Sequence, residues 1–331
     1  MKRRVRTICL LAAIFVSIIC VRVLTASPGS GDLTIAVISD LNESYGSTTY
    51  SEHVDTALRF IEKRPPDLVL CAGDMVAGQK KSLSEETLVA MWSGFNRLVR
   101  QRLNTAKIPF AFAFGNHDGP GTPAFAHERR IAEAFWLKRK PPLNFVDDSR
   151  FPRHYSFTCG AVFFAVIDVA HPVLDDRQRL WLEQQLRLES ARSARVRVIL
   201  GHVPLYAIAE GRNKTGEVMS DADRVHALFR RLGVDYYISG HHHAFYLSEK
   251  DGLKMISCGA LGGGPRKLLG SDLPPRKTLT FLTLLPQEHH FRIETYEVTD
   301  QPKLIDSSSL PDELHGFNGS SRRLVLPRQG Q

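Results

Sequence analysis

The chain has 331 residues, 43% of them apolar and 24% charged, which suits one large or two smaller globular domains. It holds 43 Lys and Arg against 35 Asp and Glu, but five of the basic residues and none of the acidic ones precede Ala26. The remainder therefore carries 38 basic against 35 acidic side chains, a net charge of +3. So weak a positive charge argues against a nucleic-acid-binding protein, and we expect no specific nucleic-acid partner.

The first 26 residues have the pattern of an export signal. Four basic residues precede an apolar run from Ile8 to Val21 that is short for a bilayer span, and small residues follow at Thr25 and Ala26. This pattern predicts an exported protein, periplasmic or extracellular, with cleavage near Ala26. An uncleaved N-terminal anchor, and with it membrane association, is the alternative, since apolar residues also follow Arg22.

Short apolar runs alternate with amphipathic stretches from residue 33 onward, which predicts an α/β architecture. The predicted buried strands, in chain order, are 33–39, 67–72, 109–114, 160–168, 195–200 and 234–239. Predicted helices lie around Val54 to Ile61, from Ser84 to about Leu103, over 177–191 with Leu180, Leu182 and Leu186 facing inward, and over 223–233. Three later runs, 253–257, 278–285 and 290–298, predict antiparallel strands.

These elements predict a catalytic domain over residues 32–299. Residues 119–155 are richer in proline and charge, and they predict an insertion over one rim of the domain. Residues 300–331 are polar with scattered prolines, which predicts a loosely attached C-terminal tail.

Five of the predicted strands run directly into a polar motif. Because the carboxyl ends of strands in an open α/β sheet meet at one edge, these loops would bring their side chains together. Carboxylate, amide oxygen and imidazole are ligands of divalent metal ions. Burying so many of them without an ion would cost on the order of several kcal/mol for each unpaired charge, so we predict a metal site. The motifs are Asp40-Leu41-Asn42, Gly73-Asp74, Gly115-Asn116-His117-Asp118, Gly201-His202-Val203-Pro204 and Gly240-His241-His242-His243.

With these motifs the sequence resembles the calcineurin-like metallophosphoesterase superfamily over roughly residues 33 to 295. The family pattern of DxH, GD, GNH(D/E), GHxP and GHxH is met here by DLN, GD, GNHD, GHVP and GHHH. The resemblance implies an α/β fold, a four-layer αββα sandwich of two mixed β-sheets flanked by helices. It also implies two divalent metal ions and a phosphate-ester substrate.

The resemblance also implies a role for each motif residue. A hydroxide that bridges the two ions would attack the phosphorus of a phosphate mono- or diester, and His117 would contact the phosphate and protonate the leaving oxygen. Asp118 would orient His117, and Asn116 would contact the substrate as well as a metal ion. The first ion would be held by Asp40, Asp74 and His243, and the second by Asp74, Asn116, His202 and His241.

One position departs from the family pattern, since Asn42 stands where the family usually has histidine. An amide oxygen in place of an imidazole weakens the first site and favours harder ions, so we expect manganese, with iron or zinc as alternatives. Asn42 either binds the first ion directly or faces away and leaves a water to complete the site.

Two residues outside the motifs are weaker candidates for substrate contact. Arg266 closes the glycine-rich segment 259–266 and offers a guanidinium to a phosphate, although a plain flexible loop fits this segment equally well. Tyr45 is a candidate for the mouth of the site, with simple packing as the alternative. For the chain as a whole, the alternative function is a metal-binding pseudoenzyme or scaffold with the same fold.

Overall fold

The structure is a computed structural model that describes residues 31–326. The predicted export signal or anchor at residues 1–26 lies outside the described residues. Within residues 31–326, no helix combines the length and the apolar character needed to cross a bilayer.

The described residues form two β-sheets with helices between the strands. The helices are α1 (Glu52–Lys63), α2 (Glu85–Phe95), α3 (Gln101–Thr105), α4 (Ala126–Leu137), α5 (Asp176–Arg187), α6 (Glu189–Arg192) and α7 (Ala222–Arg231); a π-helical turn, Asn96–Arg100, joins α2 to α3. The strands are β1 (Leu33–Ile38), β2 (Leu68–Cys71), β3 (Phe110–Phe112), β4 (Asn144–Asp147), β5 (Tyr155–Cys159), β6 (Val162–Val166), β7 (Val196–Leu200), β8 (Tyr236–Ser239), β9 (Tyr246–Lys250), β10 (Leu253–Ser257), β11 (Thr278–Leu284), β12 (Arg292–Glu297), β13 (Lys303–Leu304), β14 (Glu313–Gly316) and β15 (Gly319–Arg323).

Both sheets are mixed. The six-stranded sheet has the order β13-β12-β11-β1-β2-β3, with β1, β2 and β3 parallel. The nine-stranded sheet has the order β14-β15-β9-β10-β8-β7-β6-β5-β4, with β6, β7, β8 and β10 parallel. This arrangement of two mixed sheets flanked by helices confirms the predicted fold class.

Side chains that alternate between the two faces of the central strands explain how the sheets and helices pack in layers. In β6, Phe164 and Val166 belong to the large core that the two sheets share, whereas Phe163 and Ala165 belong to a second core with α5 and α7. Because successive side chains of a strand point to opposite faces, a strand buried on both faces needs a continuous apolar run. The sequence VFFAV of β6 meets this requirement.

The predicted inward position of Leu180 is wrong, since its side chain is 63% exposed. Helix α5 instead buries one face, which is formed by Gln178, Trp181, Leu182, Gln185 and Leu186. These positions recur at the three- and four-residue spacing of one helical face, and Leu180 lies outside that face.

Residues 300–326 correct the expectation of a loosely attached tail. The strand β13 extends the six-stranded sheet, while β14 and β15 extend the nine-stranded sheet through pairing with β9. Leu310, Leu314 and Leu324 are buried in the main core. The few apolar side chains of this segment are therefore enough to fix it against both sheets.

Residues 119–155 are likewise part of the core rather than only an insertion over a rim. In α4, the Trp136 ring stacks on Phe112 of β3 with 3.8 Å between ring centroids. Farther along, β4 pairs with β5 and forms one edge of the nine-stranded sheet. The proline-rich composition that suggested an insertion reflects the turns between these elements.

Candidate metal centre

The two sheets bring their polar loops together at one end of the molecule. Asp40, Asp74 and Asn116 follow β1, β2 and β3 of the six-stranded sheet, while His202 and His241 follow β7 and β8 of the other sheet. The backbone amide of His241 donates to both carboxylate oxygens of Asp40, at 3.1 and 3.2 Å. The loops therefore meet as predicted, but at the boundary between two sheets rather than at the edge of a single sheet.

Three buried side chains form the centre of this site. One ligand atom each from Asp40, Asp74 and His202 lies within 4.8 Å of the others, which is a spacing that can hold a metal ion. His202 Nε2 lies 3.4 Å from Asp74 Oδ2, and His243 Nε2 lies 3.4 Å from Asp40 Oδ1. His202 and His243, which are both predicted metal ligands, thus point their Nε2 atoms at the two carboxylates.

Asn116 contacts His202 of this cluster and the remaining predicted histidine ligand, His241. Its Oδ1 atom is 3.0 Å from His202 Nε2 and 2.9 Å from His241 Nδ1. Its amide nitrogen donates to Gln79 Oε1 at 2.8 Å, which identifies the oxygen as the atom that faces the histidines. Two imidazole nitrogens converging on one amide oxygen are the arrangement expected of ligands around a shared cation.

Two oxygen atoms in the site have no hydrogen-bond partner among the described residues. They are Asp74 Oδ2 and Asn42 Oδ1, both buried. An unpaired buried oxygen costs about 1–3 kcal/mol, and more when it carries charge. A divalent ion held by Asp40, Asp74 and His202 would satisfy the Asp74 oxygen, so the residues present fit the metal centre that the motifs predict.

The outer nitrogens of the histidines are hydrogen-bonded away from the cluster. His202 Nδ1 lies 2.7 Å from the carbonyl oxygen of Ala72, and His243 Nδ1 lies 3.0 Å from that of Gly263. His241 Nε2 lies 2.9 Å from a carboxylate oxygen of Glu217. Glu217 was not predicted, because it lies in residues 205–221 of the loop between β7 and α7, beyond the Gly201-His202-Val203-Pro204 motif, and that part of the loop carries no motif.

Four of the predicted ligands have left-handed backbone conformations. Their φ angles are 51° at Asp40, 56° at Asp74, 65° at His241 and 52° at His243. Residues other than glycine adopt such angles at a cost on the order of 1 kcal/mol, and they concentrate at functional sites. Gly73, with a φ of 96°, precedes Asp74, and a β-carbon there would lie 2.5 Å from His202 Nδ1, so only glycine fits.

Charges inside the cluster shift its pKa values in opposite directions. Burial disfavours ionisation of Asp74, but the neighbouring His202 and His117 outweigh burial and hold the pKa of Asp74 well below its ordinary value. For His202, burial alone would lower the pKa, whereas Asp74 raises it to about 9. Protons on the imidazoles thus balance the buried carboxylates, and a bound cation can take the place of those protons.

His117 lies beside this cluster and is partly exposed. Its backbone amide donates to Asp74 Oδ1 at 2.8 Å, and its ring Nδ1 lies 3.0 Å from the carbonyl oxygen of Gly78. This contact orients the ring and leaves Nε2 free to meet a substrate. The Tyr45 ring lies 5.4 Å from the His117 ring and is 52% exposed, so Tyr45 does stand at the mouth of the site.

Asp118 does not orient His117, which corrects the expectation for this residue. Its two oxygens accept hydrogen bonds from the backbone amides of Gly115, at 2.6 Å, and Met75, at 2.7 Å. Burial, with the nearby charge of Asp74, raises the pKa of Asp118 above its ordinary value. Asp118 therefore joins the two loops that carry Asp74 and Asn116.

The glycine-rich segment 259–266 is bound to the site rather than free. Its amides at Gly262 and Gly263 donate to the carbonyl oxygens of Asp40, at 2.7 Å, and Asn42, at 2.9 Å. The amide of Arg266 donates to the carbonyl oxygen of His243 at 2.9 Å. The Nε atom of Arg266 is buried without a hydrogen-bond partner among the described residues.

Comparison with known proteins finds phosphatases among the sequence relatives. A serine/threonine-protein phosphatase CPPED1 from Bos taurus is 27% identical over 230 residues, which cover 64% of this chain and 64% of that protein. The chain thus matches less than two thirds of that relative's length.

Two solved structures share the fold. A purple acid phosphatase from yellow lupin seeds superposes with a TM-score of 0.64 at 15% identity, over 84% of this chain and 53% of its own. A dimetal phosphatase from Danio rerio superposes with a TM-score of 0.54 at 14% identity, over 82% of this chain and 98% of its own. The family model of the calcineurin-like phosphoesterases matches residues 33–245. The chain belongs to the calcineurin-like phosphoesterase family.

Proposed function

We propose that the protein hydrolyses phosphate esters at a centre of two divalent metal ions that share Asp74. The observation that carries the proposal is the buried cluster of Asp40, Asp74 and His202, whose ligand atoms lie within 4.8 Å of one another and come from loops of both sheets. The dimetal phosphatase with the same fold supports a count of two. We assign Asp40, Asp74 and His243 to the first ion and Asp74, Asn116, His202 and His241 to the second.

Asn42 completes the first site in this proposal. Its backbone amide donates to the carbonyl oxygen of Asp74 at 3.2 Å, and its Oδ1 atom is buried without a partner among the described residues. An amide oxygen donor favours manganese over zinc. Comparing the metal content of the purified wild type and Asn42→His tests this: a variant no richer in zinc would contradict direct binding by Asn42.

When bound, the two ions supply a nucleophile by lowering the pKa of water, and they neutralise charge on the phosphoryl oxygens. His117 performs the protein's own part of the chemistry. Because Nδ1 is directed at the carbonyl oxygen of Gly78, Nε2 is the atom that donates a proton to the leaving oxygen. We assign contacts with the phosphate to Asn116 and to Arg266, whose Nε atom is buried without a hydrogen-bond partner among the described residues.

The substrate class rests on a relative that matches in sequence, the phosphatase CPPED1 from Bos taurus. CPPED1 is a serine/threonine-protein phosphatase, so phosphoserine and phosphothreonine peptides are the first monoesters to test. Diesters are the second class to test, because a centre of two metal ions can hydrolyse either kind of ester. The N-terminal pattern supports an exported enzyme, with membrane association if the N-terminus is retained.

A panel of phosphate esters, assayed with and without added Mn²⁺, separates this proposal from a metal-binding scaffold. An enzyme turns over phosphopeptides, nitrophenyl phosphate or bis-nitrophenyl phosphate in a metal-dependent manner. A protein that binds the ions and hydrolyses none of these esters would be a scaffold, and the proposal would be wrong.

A further inference from the structure

The three histidines of the proposed metal centre differ in what holds their outer nitrogens. His202 and His243 face backbone carbonyl oxygens, which are neutral acceptors. His241 faces the carboxylate of Glu217, with 2.9 Å between His241 Nε2 and Glu217 Oε2. One imidazole in the site is thus supported by a negative charge and two are not.

The Glu217 carboxylate is itself held in place. Arg212 forms an ion pair with the same oxygen that contacts His241, and both side chains are less than one fifth exposed. Lys214 lies farther away, with 4.0 Å from its Nζ atom to Glu217 Oε1. The ion pair holds the carboxylate in place, and the partly buried guanidinium offsets part of its charge.

The backbone around Glu217 is fixed by the histidine between the two ligands. His242 Nε2 donates to the carbonyl oxygen of Glu217 at 2.9 Å, and His242 Nδ1 accepts from the backbone amide of Ile208 at 3.3 Å. The His242 side chain therefore points away from the cluster. Its two hydrogen bonds hold the loop between β7 and α7 in place. Consecutive residues of one motif thus contact both the side chain and the backbone of Glu217.

We propose that Glu217 is a positioning residue for the second metal ion. This inference rests on the two-ion centre proposed above. The carboxylate keeps the proton of His241 on Nε2, so that Nδ1, which already faces Asn116 Oδ1 at 2.9 Å, presents its lone pair to the ion. The negative charge of Glu217 also makes the imidazole of His241 more basic, and so a stronger ligand for the metal ion. Since His243 lacks such a carboxylate, the effect is confined to the second ion.

The size of the effect follows from other metal centres. Removing a hydrogen-bond partner of a metal-binding histidine typically weakens metal affinity by about 10–100-fold. The expected signature is therefore a selective loss, in which the second binding step weakens by that factor and the first keeps its affinity.

Calorimetric titration of Mn²⁺ into the chelator-treated full chain tests the inference. We expect two binding steps in the wild type, a second step weakened 10–100-fold in Glu217→Ala, and a smaller loss in Glu217→Gln, which keeps an acceptor but no charge. Glu210→Gln, an exposed change on the same loop with no side-chain hydrogen bond among the described residues, should bind as the wild type does.

A second measurement keeps the test independent of folding defects. Nitrogen-15 shifts of histidine in the metal-free protein report the tautomer: His241 should carry its proton on Nε2 in the wild type and lose this preference in Glu217→Ala. Unchanged affinity in both steps with an unchanged tautomer would overturn the role of Glu217, as would equal weakening of both steps. Fewer than two steps in the wild type would instead overturn the two-ion centre on which the role depends.

Discussion

Single residues in the site carry conformations that a stable fold alone would avoid. The left-handed backbones of Asp40, Asp74, His241 and His243 each cost on the order of 1 kcal/mol, and Asp74 adds a buried oxygen with no partner among the described residues. Such costs persist where the surrounding structure imposes them and the site uses them. We infer that the loops are held ready for the ions, so that binding requires little rearrangement.

His117 should be required for esters with poor leaving groups and less so for those with good ones. His117→Gln removes the proton donor, which is worth about 10²–10⁴-fold for a leaving group that needs protonation. We therefore expect kcat for an alkyl phosphate to fall by that factor and kcat for nitrophenyl phosphate to fall much less. Steady-state kinetics on a series of leaving groups measures the difference, with metal content as the check that both ions remain.

Asp118→Asn is the matched control for His117→Gln. Asn can accept only one of the two amide hydrogen bonds that the Asp118 oxygens receive from Gly115 and Met75. We expect a loss of about 1–3 kcal/mol in the free energy of unfolding and no change in the dependence on leaving group. The same leaving-group dependence as His117→Gln would return Asp118 to the catalytic role that the family resemblance suggested.

At the scale of elements, the motif-bearing strands could be predicted, whereas the outer strands β9, β14 and β15 of the nine-stranded sheet could not. β1, β2, β3, β7 and β8 are short continuous apolar runs, because both of their faces are buried. β9, β14 and β15 read YLSEK, ELHG and GSSRR, and their place depends on backbone pairing that leaves little trace in side-chain pattern. Of these three, β14 forms the edge of the sheet, and a short, polar edge strand protects a sheet from pairing with other chains.

The same distinction holds for the site. Each motif ligand follows a recognisable strand, so its neighbours could be predicted from the order of the strands. Glu217 reaches His241 only because of the path of the loop between β7 and α7, which is set by contacts such as the Met219 amide to the Pro204 carbonyl oxygen. No local pattern encodes that path.

The C-terminal strands should contribute to stability, in contrast to the expected loose tail. Leu314 is 2% exposed in the main core, so Leu314→Ala should lower the free energy of unfolding by about 2–5 kcal/mol. Val325 follows the same strands but is 76% exposed, and Val325→Ala should change stability by less than about 0.5 kcal/mol. Urea unfolding of the three proteins measures both values, and equal stability of all three would show that the segment adds nothing.

At the scale of the whole molecule, the metal centre joins the two sheets. The proposed ligands come from loops of both sheets, so an ion bound between them stabilises the folded chain and not the unfolded one. At a free Mn²⁺ concentration 100 times the Kd of one site, the expected gain is about 2.7 kcal/mol. Thermal unfolding with chelator and with Mn²⁺ measures the gain, and identical midpoints would contradict a centre that spans the sheets.

Counting ions and turnover in the same samples of wild type and Asp74→Asn tests the shared carboxylate most directly. Metal analysis of chelator-treated protein, reconstituted stepwise with Mn²⁺ and assayed on bis-nitrophenyl phosphate, gives both quantities. We predict that wild-type activity appears as the count approaches two ions per chain, and that Asp74→Asn holds at most one ion and remains at the background rate. Full activity without ions or with a single ion, or an Asp74→Asn variant that holds two ions and turns over normally, would contradict the account.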